Sequence, residues 1–539
     1  MKKVSNENSK ENPKNALLIT AESFKRLGTW KFDSAGTFGS TLKGMQEGQP
    51  ADTEPAVADF DIENAGKYRI WVHARDYKSN QQGARFFNVA LNGKQLDTTF
   101  GKHGENGFLW TDGGVYDLSA GKNEIALIDS SGFFARCDGI LITSDIEMIP
   151  SEKYEDIIAV AAPVDALKNV PYPQFPEWAR EKCKTEKEDS IENEYAKVVF
   201  AKVDSKENGS FVQNEIYVKD NGEWLKVKDR TDEHGYLMLK ALSSKNAGFT
   251  DGFGIFQQVF KLEDEVIECI SSNAYKAGFP VWLIPTDYEK VSDKKILLKF
   301  ENQDDVDIVI SWELDAGEHD PKVTIDAKFK KDGAYSFGLF SGNEYSDDSY
   351  ENALAPFRIM EKRVLKNPVV YIEHYLFTPM GSVTLPENNK TVPGRKLTTA
   401  VVVDPECIPA GYVYRETSKF GVAMRGPAGG VRANIFAPLF GSDYCNFKAG
   451  ESYKFSYRVV NKLSSWFDTY KHIVQEIFNV HDYRSNYYAS LNEAIYNATD
   501  LMLNDDYGGW DPVDKAHYNM EEKDLTSVAN PMEAIQRYL

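Results

Sequence analysis

Cysteine is scarce in this chain: 539 residues hold 5, at Cys137, Cys183, Cys269, Cys407 and Cys445, with no CxxC pair among them. An odd, scattered set excludes a disulfide framework and a regularly spaced zinc or redox motif, and it suits either cytoplasm or a thiol-tolerant bacterial exterior. Long apolar runs are missing as well. Ile157 to Val164 falls far short of the ~20 residues of a membrane-spanning helix, so no membrane span is expected. There is no basic surplus: 62 Lys and Arg stand against 82 Asp and Glu, for a net charge of −20. So acidic a chain repels phosphate backbones and anionic headgroups, which excludes nucleic acid as a main partner and leaves neutral glycans and small molecules open.

Familiar catalytic templates are lacking too. No GxGxxG follows a strand, and no Walker A, HExxH or GxSxG occurs; Arg425-Gly426-Pro427-Ala428-Gly429-Gly430 is glycine-rich but has no P-loop lysine. The 8 histidines lie far apart, so each reads as a core or surface residue. Met1-Lys2-Lys3 has the charge of a signal n-region, yet Ser5-Asn6-Glu7-Asn8 stands where an apolar h-region would begin. Residues 1–15 are therefore expected to be a flexible tether, left where a leader was cut or replaced.

What is present argues for several folded domains. Hydrophobic residues make up 42% and charged residues 27%, and the length exceeds what one core supports. Aromatics reach 13%, which suits sandwich cores and also stacking on sugar rings.

The expected fold class is mainly β: an N-terminal jelly-roll β-sandwich, a large second β-sandwich and a short C-terminal α-helical region. Over residues 16–146, Tyr68, Ile70, Val72 and Ala74 alternate with Arg69, Trp71, His73 and Arg75, the period of a half-buried strand. Phe87, Val89 and Leu91 repeat the alternation and run into Asn92-Gly93, a hairpin signal. Residues 147–194, with several prolines and the charge run Arg180 to Asp189, read as a linker holding one short helix. Strands return over 195–460, enough for one large sandwich or two small ones. Within 461–539, Trp466 to Phe478 shows helical periodicity, as does Ser490 to Leu503 with Leu491, Ala494, Ile495 and Ala498 inward; a third helix is expected to start at Asn530-Pro531.

In residues 16–146, Ala21-Glu22 follows the first strand, and Ala65-Gly66-Lys67-Tyr68 leads into the central one. Leu91-Asn92-Gly93, Trp110, Leu118-Ser119-Ala120-Gly121-Lys122-Asn123 and Arg136-Cys137-Asp138-Gly139-Ile140 come after. This order resembles the galactose-binding-like carbohydrate-binding modules that carry a structural calcium. The resemblance implies a jelly roll that binds polysaccharide or oligosaccharide without catalysis, with Glu22 and Asp138 as oxygen ligands to Ca²⁺. The other reading makes Glu22 a surface carboxylate and Asp138 a turn former. Trp30, Tyr77 and Trp110, with Arg75 and Asp76 beside them, are the candidate carbohydrate-binding residues, since a pyranose offers a C–H face for stacking and hydroxyls for hydrogen bonds. The plainer alternative places Trp110 in the core.

A second acidic and aromatic stretch runs Asn504-Asp505-Asp506-Tyr507-Gly508-Gly509-Trp510-Asp511-Pro512, then His517-Tyr518-Asn519-Met520-Glu521. A carboxyl acid, a carboxylate partner and a stacking platform are what a glycosidase needs, which makes Asp511 and Glu521 the candidate catalytic pair; Asp505-Asp506 also reads as a solvated helix end. The layout of residues 195–539 resembles glycan-degrading enzymes that join a large β-sandwich to an α/α toroid. Twelve toroid helices of roughly 11–12 residues need on the order of 200 residues with their connections. Residues 461–539 are too few, so a shortened toroid or a helical cap is expected. The functional expectation is an extracellular or periplasmic carbohydrate-active protein belonging to a glycoside hydrolase. A polysaccharide lyase using Tyr518 and His517 is less favoured, and the alternative class is a non-catalytic glycan-binding scaffold.

Overall fold

Alternation in the sequence becomes pairing in the computed structural model. It describes residues 16–165, 172–205, 207–249, 256–262, 265–270, 274–301, 303–340, 342–356, 364, 368–376, 378–408, 411, 413–481, 490–502, 510–511, 513 and 516–517. The chain divides into two compact units between Ile473 and Val474.

The first unit begins with two facing sheets. One carries Ala16–Thr20, Arg136–Thr143 and Gly66–Asp76 side by side, with Gly107–Leu118 beyond the last; the other runs Ala56–Ile62, Gly121–Ile128, Phe87–Leu91, Lys94–Phe100. Their apolar faces close on Trp30, Phe60, Ile70, Val72, Phe87, Phe100, Ile125 and Ile140, the jelly-roll core. Asn92 and Gly93 both take positive φ, 49° and 78°, which is what the tight turn between Phe87–Leu91 and Lys94–Phe100 demands. The long strand Gly66–Asp76 departs from simple alternation, because His73, on its nominally outer side, is 1% exposed. The cause is the following segment: helix α1 (Tyr154–Val160) and the strand Ala161–Pro163, which pairs parallel with Ala16–Thr20, fold back over that face. Ile157 and Ala161 pack there with Leu18, Phe38 and Leu141.

The expected linker supplies its short helix as α1, but its charge run forms a strand, Lys184–Glu192, paired along its length with Ala196–Ser205. Charge hid it: this is the end strand of its four-stranded sheet, and its Lys and Glu side chains stand mostly in solvent, as exposed sheet edges require. Beyond it, two larger sheets face each other. The order in one is Phe279–Leu283, Tyr236–Ala241, Gly333–Phe340, Val431–Ala437, Gly421–Arg425, Val370–Ile372. The other runs Asp287–Ser292, Lys295–Lys299, Val306–Glu313, Lys322–Phe329, Ser452–Lys462, Leu397–Val403, Met380–Leu385, Asn352–Leu354. A single core reaches from Ile191 through Phe200, Phe337 and Val401 to Val459, so this region is one large sandwich.

The helix expected over Trp466 to Phe478 is α-helical over α2 (Trp466–His472) and continues as a π turn over Ile473–Ile477. Ser465 caps α2 by accepting the Asp468 N–H. In the second unit, α3 (Leu491–Met502) opens with a capping box: Ser490 N–H donates to Glu493, and Glu493 N–H to Ser490 Oγ. Leu491 and Ala494, expected on the inward stripe, are exposed in its first turn. The helix expected from Asn530 lies outside the described residues.

The interior of the large sandwich holds ionisable groups. Arg432, 1% exposed, pairs with Glu233 and lies 3.4 Å from Glu344. Beside them a cavity of about 30 Å³, room for about one water, is lined by Asn214, Lys228, His234, Tyr236 and Trp312. Burial holds the Lys228 ammonium down to about 8, and burial, aided by the Lys228 charge, holds His234 down to about 3. Unfolded His234 takes up its proton near its ordinary value while folded His234 stays neutral, so its contribution to stability is lost as pH falls from about 6.5 towards 3. His234→Phe, which keeps the ring stacked on Phe211 at 5.8 Å, should flatten that acid limb. Relative to the parent chain, the variant should gain about 3 kcal/mol between pH 7 and pH 4, measured by urea denaturation of the sandwich transition at both pH values.

Candidate functional site

The strands Gly66–Asp76 and Gly107–Leu118 pair in register to the end of the jelly roll, Arg75 opposite Phe108 and Asp76 opposite Gly107. Asp76 then turns inward. It is fully buried, and its carboxylate accepts N–H bonds from Tyr77 at 2.8 Å, Gly83 at 3.0 Å and Gly104 at 2.8 Å. These donors belong to the loops that follow Asp76 and Phe100, so one carboxylate ties both together. Gly104 takes φ +80°, a conformation that brings its N–H onto the carboxylate and strains any residue with a side chain.

Over this anchor the side chains gather. The Arg75 guanidinium lies 4.8 Å from the Tyr77 ring centre and 5.5 Å from that of Phe108; the Arg85 guanidinium lies 4.5 Å from Tyr77 and 5.3 Å from Phe133. Such contacts draw cations to the electron-rich ring faces. Arg85 Nη1 also donates to the Asn80 carbonyl at 2.8 Å.

The expected sugar-binding residues therefore separate. Arg75, Asp76 and Tyr77 lie together at the tip, with Asp76 organising loops rather than facing solvent. Trp30 is 1% exposed, packed edge-on against Phe87, and has no face to offer a ligand. Trp110 sits opposite His73, its ring 4.7 Å from that imidazole and 5.2 Å from Phe38, and its indole N–H donates to the Ser151 carbonyl. Nothing in the sequence pointed to Arg85, Phe108 or Phe133; the fold brings Arg85 onto Tyr77, Phe108 under Arg75 and Phe133 under Arg85.

Glu22 and Asp138 grip the same turn. Glu22 accepts the Ser40 N–H at 3.2 Å, and Asp138 accepts the Thr37 N–H at 2.6 Å. Asp138 sits at a bulge in its strand and also meets His73 Nδ1 at 2.5 Å, while His73 Nε2 meets Glu152 at 2.9 Å. Calcium takes hard oxygen donors. Here the Asp138 oxygens go to an imidazole and an N–H, and among the described residues no group of three or more His, Cys, Asp or Glu is placed to hold a metal ion. Both carboxylates thus face one turn, each with an oxygen already engaged by a neighbouring N–H. Of the candidate catalytic residues, Asp511 lies in the strand Trp510–Asp511, which pairs with Ala516–His517; Glu521 and Tyr518 lie outside the described residues.

Comparison with solved structures finds partial likenesses. A family 35 carbohydrate-binding module from Clostridium thermocellum matches at 19% identity over 24% of this chain and 98% of its own, TM-score 0.20. The C-terminal family 6 module of a marine laminarinase from Zobellia galactanivorans matches at 19% identity over 24% of this chain and 100% of its own, TM-score 0.19. A β-(1,4)-mannanase from Podospora anserina, of glycoside hydrolase family 26 with a family 35 module, matches at 20% identity, TM-score 0.21; the match covers 25% of this chain and 29% of the mannanase. No protein-family model and no curated protein matches the chain.

Since His73 occupies Asp138, millimolar Ca²⁺ and a chelator should leave the melting temperature of the chain within about 1 °C of each other, where saturation of a resident site would raise it by several degrees. Differential scanning calorimetry in the two buffers checks this.

Proposed function

We propose that this chain is a carbohydrate-active protein that binds polysaccharide or oligosaccharide through residues 16–146, outside the cytoplasm. The observation that carries the reading is the tip of the jelly roll, where a buried carboxylate fixes two loops and Arg75, Tyr77, Arg85, Phe108 and Phe133 converge above it. Rigidly held guanidinium donors beside aromatic surface match what a sugar presents, hydroxyl groups around a C–H face. The interior of the large sandwich is no competitor for this role, since its cavity has room for about one water.

The catalytic part of the proposal is glycoside hydrolysis, with Asp511 and Glu521 as acid and carboxylate partner. It rests on their residue types and on the sandwich-plus-helix layout. Calcium at Glu22 and Asp138 is not part of the reading.

A glycan array probed with the full chain tests the binding step. The expected outcome is retention on at least one polysaccharide class, weakened about tenfold or more by Tyr77→Ala, which removes the surface on which both guanidinium groups rest. Trp110→Ala should leave binding unchanged. Release of reducing sugar from the bound polysaccharide, abolished by Asp511→Asn and by Glu521→Gln, is the expected sign of hydrolysis; binding without release leaves a binder alone.

A further inference from the structure

We infer that the tip recognises an anionic substituent of its glycan, a carboxylate or a sulfate ester, through the guanidinium groups of Arg75 and Arg85; this rests on the glycan-binding reading of that same site. The first ground is pairing. Every other arginine whose side chain is described has an acidic partner: Arg26, Arg69, Arg136, Arg180, Arg230, Arg395, Arg425, Arg432 and Arg458 each lie within 4.0 Å of an Asp or Glu oxygen. Arg75 and Arg85 instead rest on aromatic rings. In a chain of net charge −20, acids are plentiful, so two adjacent arginines without one stand out.

The second ground is unspent donor capacity. The Nε–H groups of both residues are buried with no hydrogen-bond partner, and Arg85 as a whole is 7% exposed. A desolvated Nε–H lacking an acceptor is costly unless an anion arrives, and the planar fork of a guanidinium matches a carboxylate or a sulfate. Asp76, the nearest acid in sequence, does not fill this role, because its oxygens are given to the N–H groups of Tyr77, Gly83 and Gly104. A third cation, Lys102, stands in the second tied loop with its ammonium 4.1 Å from the Phe86 ring centre.

The third ground is what the rings are doing. With two guanidinium groups over it, Tyr77 is packed against cations and is not a bare platform for a neutral pyranose. The selectivity of such a site comes from the charge carried by the sugar.

Affinity electrophoresis of the full chain, with chelator throughout, tests this on matched pairs. One arm sets polygalacturonate against its carboxyl-reduced form, and the other sets dextran sulfate against dextran, separating a carboxylate from a sulfate source. At least one acidic member should bind about tenfold or more tighter than its neutral partner, and should weaken by a similar factor in Arg75→Gln and with rising salt. Arg75→Lys, which keeps the charge but loses the fork, should retain part of the affinity, and circular dichroism confirms that each variant folds. Equal affinity for charged and neutral partners, or an acid preference untouched by Arg75→Gln, overturns the inference and leaves glycan binding standing. Poly-glutamate bound as tightly as the acidic polysaccharide reduces the site to charge capture and overturns it as well. Retention on no glycan in the array defeats the underlying reading, and the inference with it.

Discussion

A carboxylate taken wholly out of water must recover its hydration from nearby donors, and at Asp76 those donors are loop backbone N–H groups. The geometry of this end of the jelly roll depends on that exchange. Without it, the chain after the strand Gly66–Asp76 and the chain after Phe100 would have no common anchor, and Arg75, Tyr77 and Arg85 would have no fixed distances. The carboxylate is positioned by ordinary sheet pairing, opposite Gly107 at the last rung of a long antiparallel ladder. Register therefore passes directly into site geometry: a slip of one residue would turn Asp76 outward and leave the loop N–H groups unsatisfied.

The two sandwiches handle buried charge differently. In the large one, Arg432 lies between Glu233 and Glu344, and Lys228 has its ammonium on the Asn214 carbonyl and side-chain oxygen. Each charge there meets an opposite charge or a set of acceptors, and the space left over is about the size of a water. Such a closed network constrains packing and has little left to give a ligand. At the jelly-roll tip, aromatic rings stand where acids would otherwise be. The contrast separates a cluster whose charges are matched by acids and acceptors from one whose guanidinium groups rest on rings.

How much of this was legible in the sequence follows from which interactions are local. The alternation at Tyr68 to Arg75 and the Asn92-Gly93 turn are local, and both appear as strand and hairpin. The strand Lys184–Glu192 was hidden because a sheet edge selects for charge, which in sequence looks like a linker. His73 was unreadable for the opposite reason: its face of the strand is polar in pattern, and only the return of the segment through α1 buries it against Asp138 and Glu152. The same long-range fold places Trp30 in the core and brings the Ser151 carbonyl onto the Trp110 indole. An aromatic side chain has no local signature that separates core from platform.

The tip carries that ambiguity one step further. Counting aromatics pointed to stacking on sugars, and the rings do stack, but on arginines of their own chain. A ring so occupied acts through what it holds: it lowers the cost of keeping a guanidinium partly desolvated and fixes the direction of its fork. Arg75 is adjacent to Asp76 in sequence, and Arg85 lies ten positions beyond Arg75, so proximity alone does not say which groups will pair. Backbone N–H groups satisfy Asp76, and because they do, neither arginine pairs with it.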